Sequence, residues 1–140
     1  MRLRLTHANL WVPDQDEALD FYVGKLGMEV REDVSMPEMN GYRWLTVGPP
    51  GQPEVSFILN VPRPPVVDDG TGDQVLELVA KGTAGGFHLE TDDCRGAYEQ
   101  LSGAGVEFVE EPEERPYGID AMFRDPFGHR FRLVQTFVTR

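Results

Sequence analysis

A single cysteine, Cys94, occurs among the 140 residues, which excludes an intramolecular disulfide and any metal cluster built on cysteine thiolates. Basic residues are also scarce: 13 Lys and Arg stand against 24 Asp and Glu, for a formal charge of -11. No local cluster of lysine and arginine interrupts that balance, so nucleic acid and anionic membranes are not expected partners. Apolar runs are too short to span a bilayer. The opening MRLRLTHANLWV is broken by charged and polar residues too early for a signal-peptide core. The expectation is a cytoplasmic protein in a reducing compartment. Nucleophile and phosphate-loop motifs are missing as well, with no Gly-x-Ser-x-Gly and no phosphate-cradling Gly-rich loop. Cys94 follows Asp93 at an expected helix start; neighbouring carboxylates oppose the dipole's lowering of its pKa, so it reads as a structural thiol.

What the chain has is a repeat. VPDQDEALDFYVGKLGMEV from Val12 and TDDCRGAYEQLSGAGVEFV from Thr91 superpose at a spacing of 79 positions, the distance from Ala18 to Ala97. The shift also sets Asp14 on Asp93, Leu19 on Tyr98, Tyr22 on Leu101 and Val30 on Val109. One supersecondary unit used twice bounds the fold, and related halves are a natural setting for a small-molecule cleft.

Within the first copy, residues 3–12 alternate as a strand, with His7, Asn9 and Trp11 on one side and Leu10 and Val12 on the other. Asp14 followed by Glu17 is a capping-box-like start. Ala18, Phe21, Tyr22 and Leu26 recur at helical spacing before Gly27. Strands are expected at residues 28–34, 42–47 and 54–59. A Pro- and Gly-rich connector with a short helix over 73–80 follows. The second copy repeats the order: strand 87–91, helix 94–103, then strands 106–110, 119–123 and 130–135. Glu110-Glu111 and Glu113-Glu114 read as a solvated loop, and Asp125-Pro126-Phe127-Gly128 as a tight hairpin turn with His129 in a turn-stabilising place. The expected architecture is α+β: one domain over 1–140, made of a βαβββ module over about 3–60, a connector over about 61–86, and a second βαβββ module over about 87–136.

The doubled module, the ALDFY and KLGMEV helix exit, the GVEF strand and the DPFG turn resemble the vicinal oxygen chelate superfamily, the glyoxalase, bleomycin-resistance and ring-cleaving dioxygenase group. The likeness runs from about Leu3 to Gln135. It implies two modules whose sheets curl into a cup, a homodimer, and, in the enzymes, a divalent metal held by His and Glu side chains. It does not name a reaction, because one fold hosts several.

Position by position, the resemblance places a first-strand ligand at His7. The equivalent position in the second copy is Gly86, which has no side chain. The last-strand glutamate, four residues after the turn glycine, is replaced by Arg132, and the fourth-strand position falls near Ser56. His88 lies two residues after Gly86 and shares a face with Glu90. A rearranged two-His, one-carboxylate site of His7, His88 and Glu90 is therefore the alternative to a metal-free cup, and zinc, nickel, manganese or iron would be its metal. The same three residues are the candidate general bases of a metal-free enzyme. Arg132 is an anion clamp, or an internal partner of Glu90, or a side chain extending to solvent beside Arg130, and His7 is either a functional group or a histidine satisfied by a backbone carbonyl. Asn9, Trp11, Trp44, Ser56 and Tyr117 are the remaining candidate ligand contacts, with Tyr117 at the mouth of the cup; Tyr42 and Phe57 are candidates for the same aromatic wall.

Three functions follow as expectations. The first is a binding protein that holds a small aromatic or anionic molecule without a cofactor. The second is a metal-dependent lyase, isomerase or dioxygenase, and the third a metal-free general-base enzyme. The first is the reading preferred from the residues.

Overall fold

A computed structural model describes residues 1–137. The elements are β1 (His7–Trp11), α1 (Gln15–Tyr22), β2 (Glu29–Met36), β3 (Tyr42–Gly48), β4 (Ser56–Asn60), α2 (Asp69–Ala80), β5 (Gly86–Glu90), α3 (Cys94–Gly103), β6 (Glu107–Arg115), β7 (Gly118–Arg124) and β8 (Arg130–Thr136), with a 3₁₀ turn at Pro37–Met39. They form two mixed four-stranded sheets of identical order, β1-β4-β3-β2 and β5-β8-β7-β6. β1 runs parallel to β4 and β5 to β8, and the other neighbours are antiparallel. The α+β class and the tandem βαβββ modules expected from the repeat are therefore present. Packing separates two compact units, up to Glu77 and from Leu78 onward. Among the described residues no helix is long and apolar enough to cross a membrane.

The two copies start their helices by the same device. Asp14, at φ -148° and ψ 119°, accepts the Glu17 N–H on its side chain. Asp93, at φ -147° and ψ 87°, accepts that of Gly96. Each carboxylate satisfies a helix N–H that has no partner within the helix. Each helix lies over one face of its sheet. In the first unit Leu10, Leu45, Val47, Phe57 and Leu59 are buried with Ala18, Phe21 and Tyr22. In the second, Phe123 stacks on Phe131 with centroids 5.2 Å apart, and Phe131 on Phe87 at 5.9 Å. Period-two alternation leaves the opposite face of each sheet for other purposes.

Several boundaries differ from the sequence expectation. β1 begins at His7; Leu3 and Leu5 before it are 85% and 70% exposed and belong to no strand among the described residues. α1 stops at Tyr22, and the chain turns through Gly27 at φ 75°. α2 begins four residues early, where Asp68 accepts the Thr71 N–H. The glutamates expected in a loop belong to β6: register shifts on either side of Glu110 let the strand carry Pro112 and continue pairing with β7 to Arg115. Phe57 faces the helix core rather than an aromatic wall, being opposite Ala8 and Val47.

The DPFG turn holds itself together through one side chain. Asp125, 1% exposed, accepts the N–H groups of Phe127, Gly128 and His129 on Oδ1 at 2.8–3.0 Å. Gly128 adopts φ 121°, and a Cβ there would meet the Val79 carbonyl oxygen at 2.2 Å. Asp125→Ala strands three buried donors; urea unfolding should show a loss of about 3 kcal/mol with an unchanged m-value.

Candidate functional site

The face of the first sheet turned away from α1 carries most of the candidate ligand contacts. The ladder sets His7 opposite Ser56, Asn9 opposite Ile58 and Trp11 opposite Asn60. It continues with Thr46 opposite Ile58 and Glu32, and with Trp44 opposite Val34 and Tyr42 opposite Met36. Both tryptophans of the chain thus stand on one face. His7 packs its ring 5.4 Å from that of Trp44. Its Nδ1 is hydrogen-bonded to the Thr6 hydroxyl at 3.0 Å, and its Nε2 lies 3.8 Å from Glu32 Oε1. The imidazole is held by side chains, not by the backbone carbonyl considered from sequence.

Beside it runs a directed chain of hydrogen bonds. The Tyr42 hydroxyl donates to Asn60 Oδ1 at 3.1 Å, and Asn60 Nδ2 donates to Asn9 Oδ1 at 3.0 Å. Burial raises the Tyr42 pKa above its ordinary value, so the phenol stays neutral. The chain ends on the Asn9 Nδ2 donors, which make no hydrogen bond among the described residues. Thr46 adds a buried hydroxyl that also lacks a partner among them, an uncommon state for a buried polar atom.

The face of the second sheet opposite to that of Phe123 and Phe131 is ionic. Asp120 is fully buried and accepts from three side chains: Arg115 Nε at 3.2 Å, Arg132 Nη1 at 3.1 Å, and the Tyr117 hydroxyl. Arg132 also donates to Glu110 from Nη1 and Nη2, each at 3.3 Å. Burial pushes the Asp120 pKa up, but the Tyr117 and Arg115 hydrogen bonds and the charges of Arg132 and Arg115 outweigh it and hold the carboxyl below its ordinary range. The Tyr117 pKa is raised, first by its hydrogen bond to Asp120 and then by burial. Arg132 is thus an internally paired cation, with Glu110 and Asp120 as carboxylate partners. Tyr117 is half-exposed and anchored to this group. His88 and Glu90 stand opposite Arg132 and Val134 on the same side of the sheet and line a small pocket with Leu89, Val134 and Thr136.

His7 therefore belongs to the first unit, and His88, Glu90 and Arg132 to the second. Among the described residues no group of three or more His, Cys, Asp or Glu side chains is placed to hold a metal ion. Sequence reasoning did not nominate Asn60, Thr46 or Asp120. Asn60 was available as the next position on the same face after Ser56 and Ile58. Asp120 was available as an acid flanked by Ile119 and Ala121 inside an expected strand, a place where a carboxylate is buried only if paired.

The family model of the Glyoxalase/Bleomycin resistance protein/Dioxygenase superfamily matches residues 4–133. The chain is 46% identical to UcmS2, whose crystal structure superposes with a TM-score of 0.91 over 97% of this chain and 100% of that one. It is 30% identical to TnmS3, described as an antibiotic binding protein from Streptomyces sp. CB03234, with a TM-score of 0.74 over 96% of this chain and 97% of that one. An uncharacterised protein of Shewanella frigidimarina is 37% identical over 138 residues, 96% of this chain and 95% of its own.

Because the Asp120 carboxylate is harder to protonate in the folded than in the unfolded chain, its contribution is complete above the unfolded pKa. It is lost as pH falls below about 4 toward the folded value. Asp120→Asn should lower stability at pH 7 by about 2 kcal/mol, less than for a wholly buried pair because both guanidiniums keep some solvent. Urea midpoints measured from pH 7 to pH 3 should fall less steeply in the variant than in the wild type.

Proposed function

The chain belongs to the glyoxalase/bleomycin-resistance/dioxygenase superfamily, and from that premise we propose that it is a binding protein which sequesters a planar aromatic molecule bearing a carbonyl group, without a metal. The observation that carries this reading is the face of the first sheet. Trp11 and Trp44 offer rings for stacking. The Tyr42–Asn60–Asn9 chain delivers unpaired amide donors to the same surface, and a ligand carbonyl is the group that would accept them. The partnerless Thr46 hydroxyl on that face is further support. So is the likeness to TnmS3, a protein described as antibiotic binding.

The donor chemistry argues against the superfamily metal. Of the positions that the resemblance assigns to ligands, His7 supplies an imidazole and Ser56 a hydroxyl, Gly86 supplies nothing, and Arg132 supplies a cation already paired with Glu110 and Asp120. An open catalytic metal site takes about three protein donors, and this set does not fit one. Catalysis by His7, His88 or Glu90 has no geometric support of this kind, so sequestration is the reading adopted. It includes a cytoplasmic homodimer, which sedimentation would detect as twice the chain mass.

Because the chain has only two tryptophans and both stand on the proposed face, intrinsic fluorescence reports that face directly. Titration with planar polycyclic aromatic natural products in EDTA should give saturable quenching. Trp44→Ala should weaken binding about tenfold, a loss of about 1.4 kcal/mol, and Asn9→Leu should weaken carbonyl-bearing ligands selectively. Binding that appears only after a divalent metal is added, or turnover that EDTA abolishes, would establish the metal-dependent enzyme instead.

A further inference from the structure

Tyr42, at one end of the aromatic face, also borders a second space. Where β3 begins and β4 ends, a separate pocket of about 170 Å³ opens in the first unit and reaches round to Gln15 at the start of α1; Tyr42 lines it, although its place on β3 is on the sheet face turned away from α1. Tyr42 and Trp44 are two residues apart on one strand, about 7 Å, which is the width of one ring system. The pocket is smaller than the roughly 300 Å³ at which cavities begin to hold a whole drug-sized molecule. It is sized for one ring.

Its walls define which ring. Pro65 and Val66 line it with apolar surface, and Gln15, Arg43 and Arg63 with polar groups. Gln15 Nε2 is committed to the carbonyls of Arg43 and Leu59 at 3.2 and 2.8 Å. That fixes the amide's orientation and leaves Oε1 as an acceptor with no hydrogen bond among the described residues. The Arg43 guanidinium is consumed by Asp33, on two nitrogens, and by Asp16. Arg63 uses only Nη1, toward the Asp69 carbonyl and Asp73, so its Nε and Nη2 donors have no hydrogen bond among the described residues. Asp16, Asp33, Asp69 and Asp73 pair with only Arg43 and Arg63. The surroundings are thus net negative, which disfavours an anion despite the two arginines. The Gln15 acceptor, the spare Arg63 N–H donors, the Asn40 amide that also lines the space and the apolar wall suit an uncharged ring carrying several hydroxyl groups.

We propose that this pocket is a subsite for an uncharged, sugar-like ring attached to the aromatic ligand, with Tyr42 as the residue shared between the two parts. The inference rests on the sequestration reading and deepens it.

The test is tryptophan-fluorescence titration of the full-length protein with 4-methylumbelliferone, its β-glucoside and its β-glucuronide. The glucoside should bind at least about fivefold more tightly than the aglycone, a difference of about 1 kcal/mol. The glucuronide, which adds a carboxylate, should bind no more tightly than the aglycone. Arg63→Ala should erase the glucoside's advantage, and Val66→Phe, which fills the pocket, should do the same if the first variant fails to fold. Equal affinities for glucoside and aglycone in the wild type overturn the subsite and leave the aromatic reading standing. A glucuronide that binds tightest overturns the uncharged class. Absence of saturable quenching by all three overturns the aromatic-face reading and the subsite with it.

Discussion

In each unit the parallel pairing of the first strand with the last decides what every other residue can do. β1 lies beside β4 and β5 beside β8, and a parallel pair requires a crossover rather than a hairpin. α1 and α3 leave those first strands and cover one face with the apolar core. Alternation then assigns each strand residue either to that core or to the opposite face. His7, Asn9 and Trp11 reach the open face of the first sheet because Leu10 and Val12 are drawn into the core. The same rule puts His88 and Glu90 on one side of the second sheet while Phe87 joins the phenylalanine stack on the other.

With the scaffold duplicated, the chemistry of the two copies diverged. The first sheet presents aromatic rings and directed amides. The second is filled by charge that satisfies itself, two guanidiniums and a tyrosine hydroxyl around the buried Asp120. The position where the superfamily resemblance puts a metal-binding glutamate holds Arg132, and that cation is bound by the protein's own carboxylates. On this account the ionic group stiffens the second sheet, and ligand recognition is carried by the first.

Much of this was legible from the sequence wherever the signal was local. The 79-residue offset predicted the duplicated module, and α3 runs from Cys94 to Gly103 as its spacing implied. The Asp14 and Asp93 caps were visible as side chains preceding helical periodicity. The failures came where a long-range partner decides. Leu3 and Leu5 alternate like a strand but are exposed and unpaired among the described residues. Glu110 and Glu113 look like a solvated loop until β7 is placed beside them and Arg132 claims Glu110. The partners of Arg132 depend on the registers of β6, β7 and β8 together, and no spacing within one segment encodes that. The Tyr42–Asn60–Asn9 chain draws on three strands and was hidden for the same reason.

The central claim is that the first sheet's aromatic face takes up its ligand without metal. The most direct measurement is two-dimensional ¹⁵N NMR of chelator-treated protein, in which the Trp11 and Trp44 indole N–H groups give the only two tryptophan side-chain resonances. Addition of a carbonyl-bearing planar aromatic ligand should shift both resonances to saturation, with the same dissociation constant before and after zinc is restored. Resonances that stay in place while the ligand binds, or that move only once metal is supplied, would contradict the account.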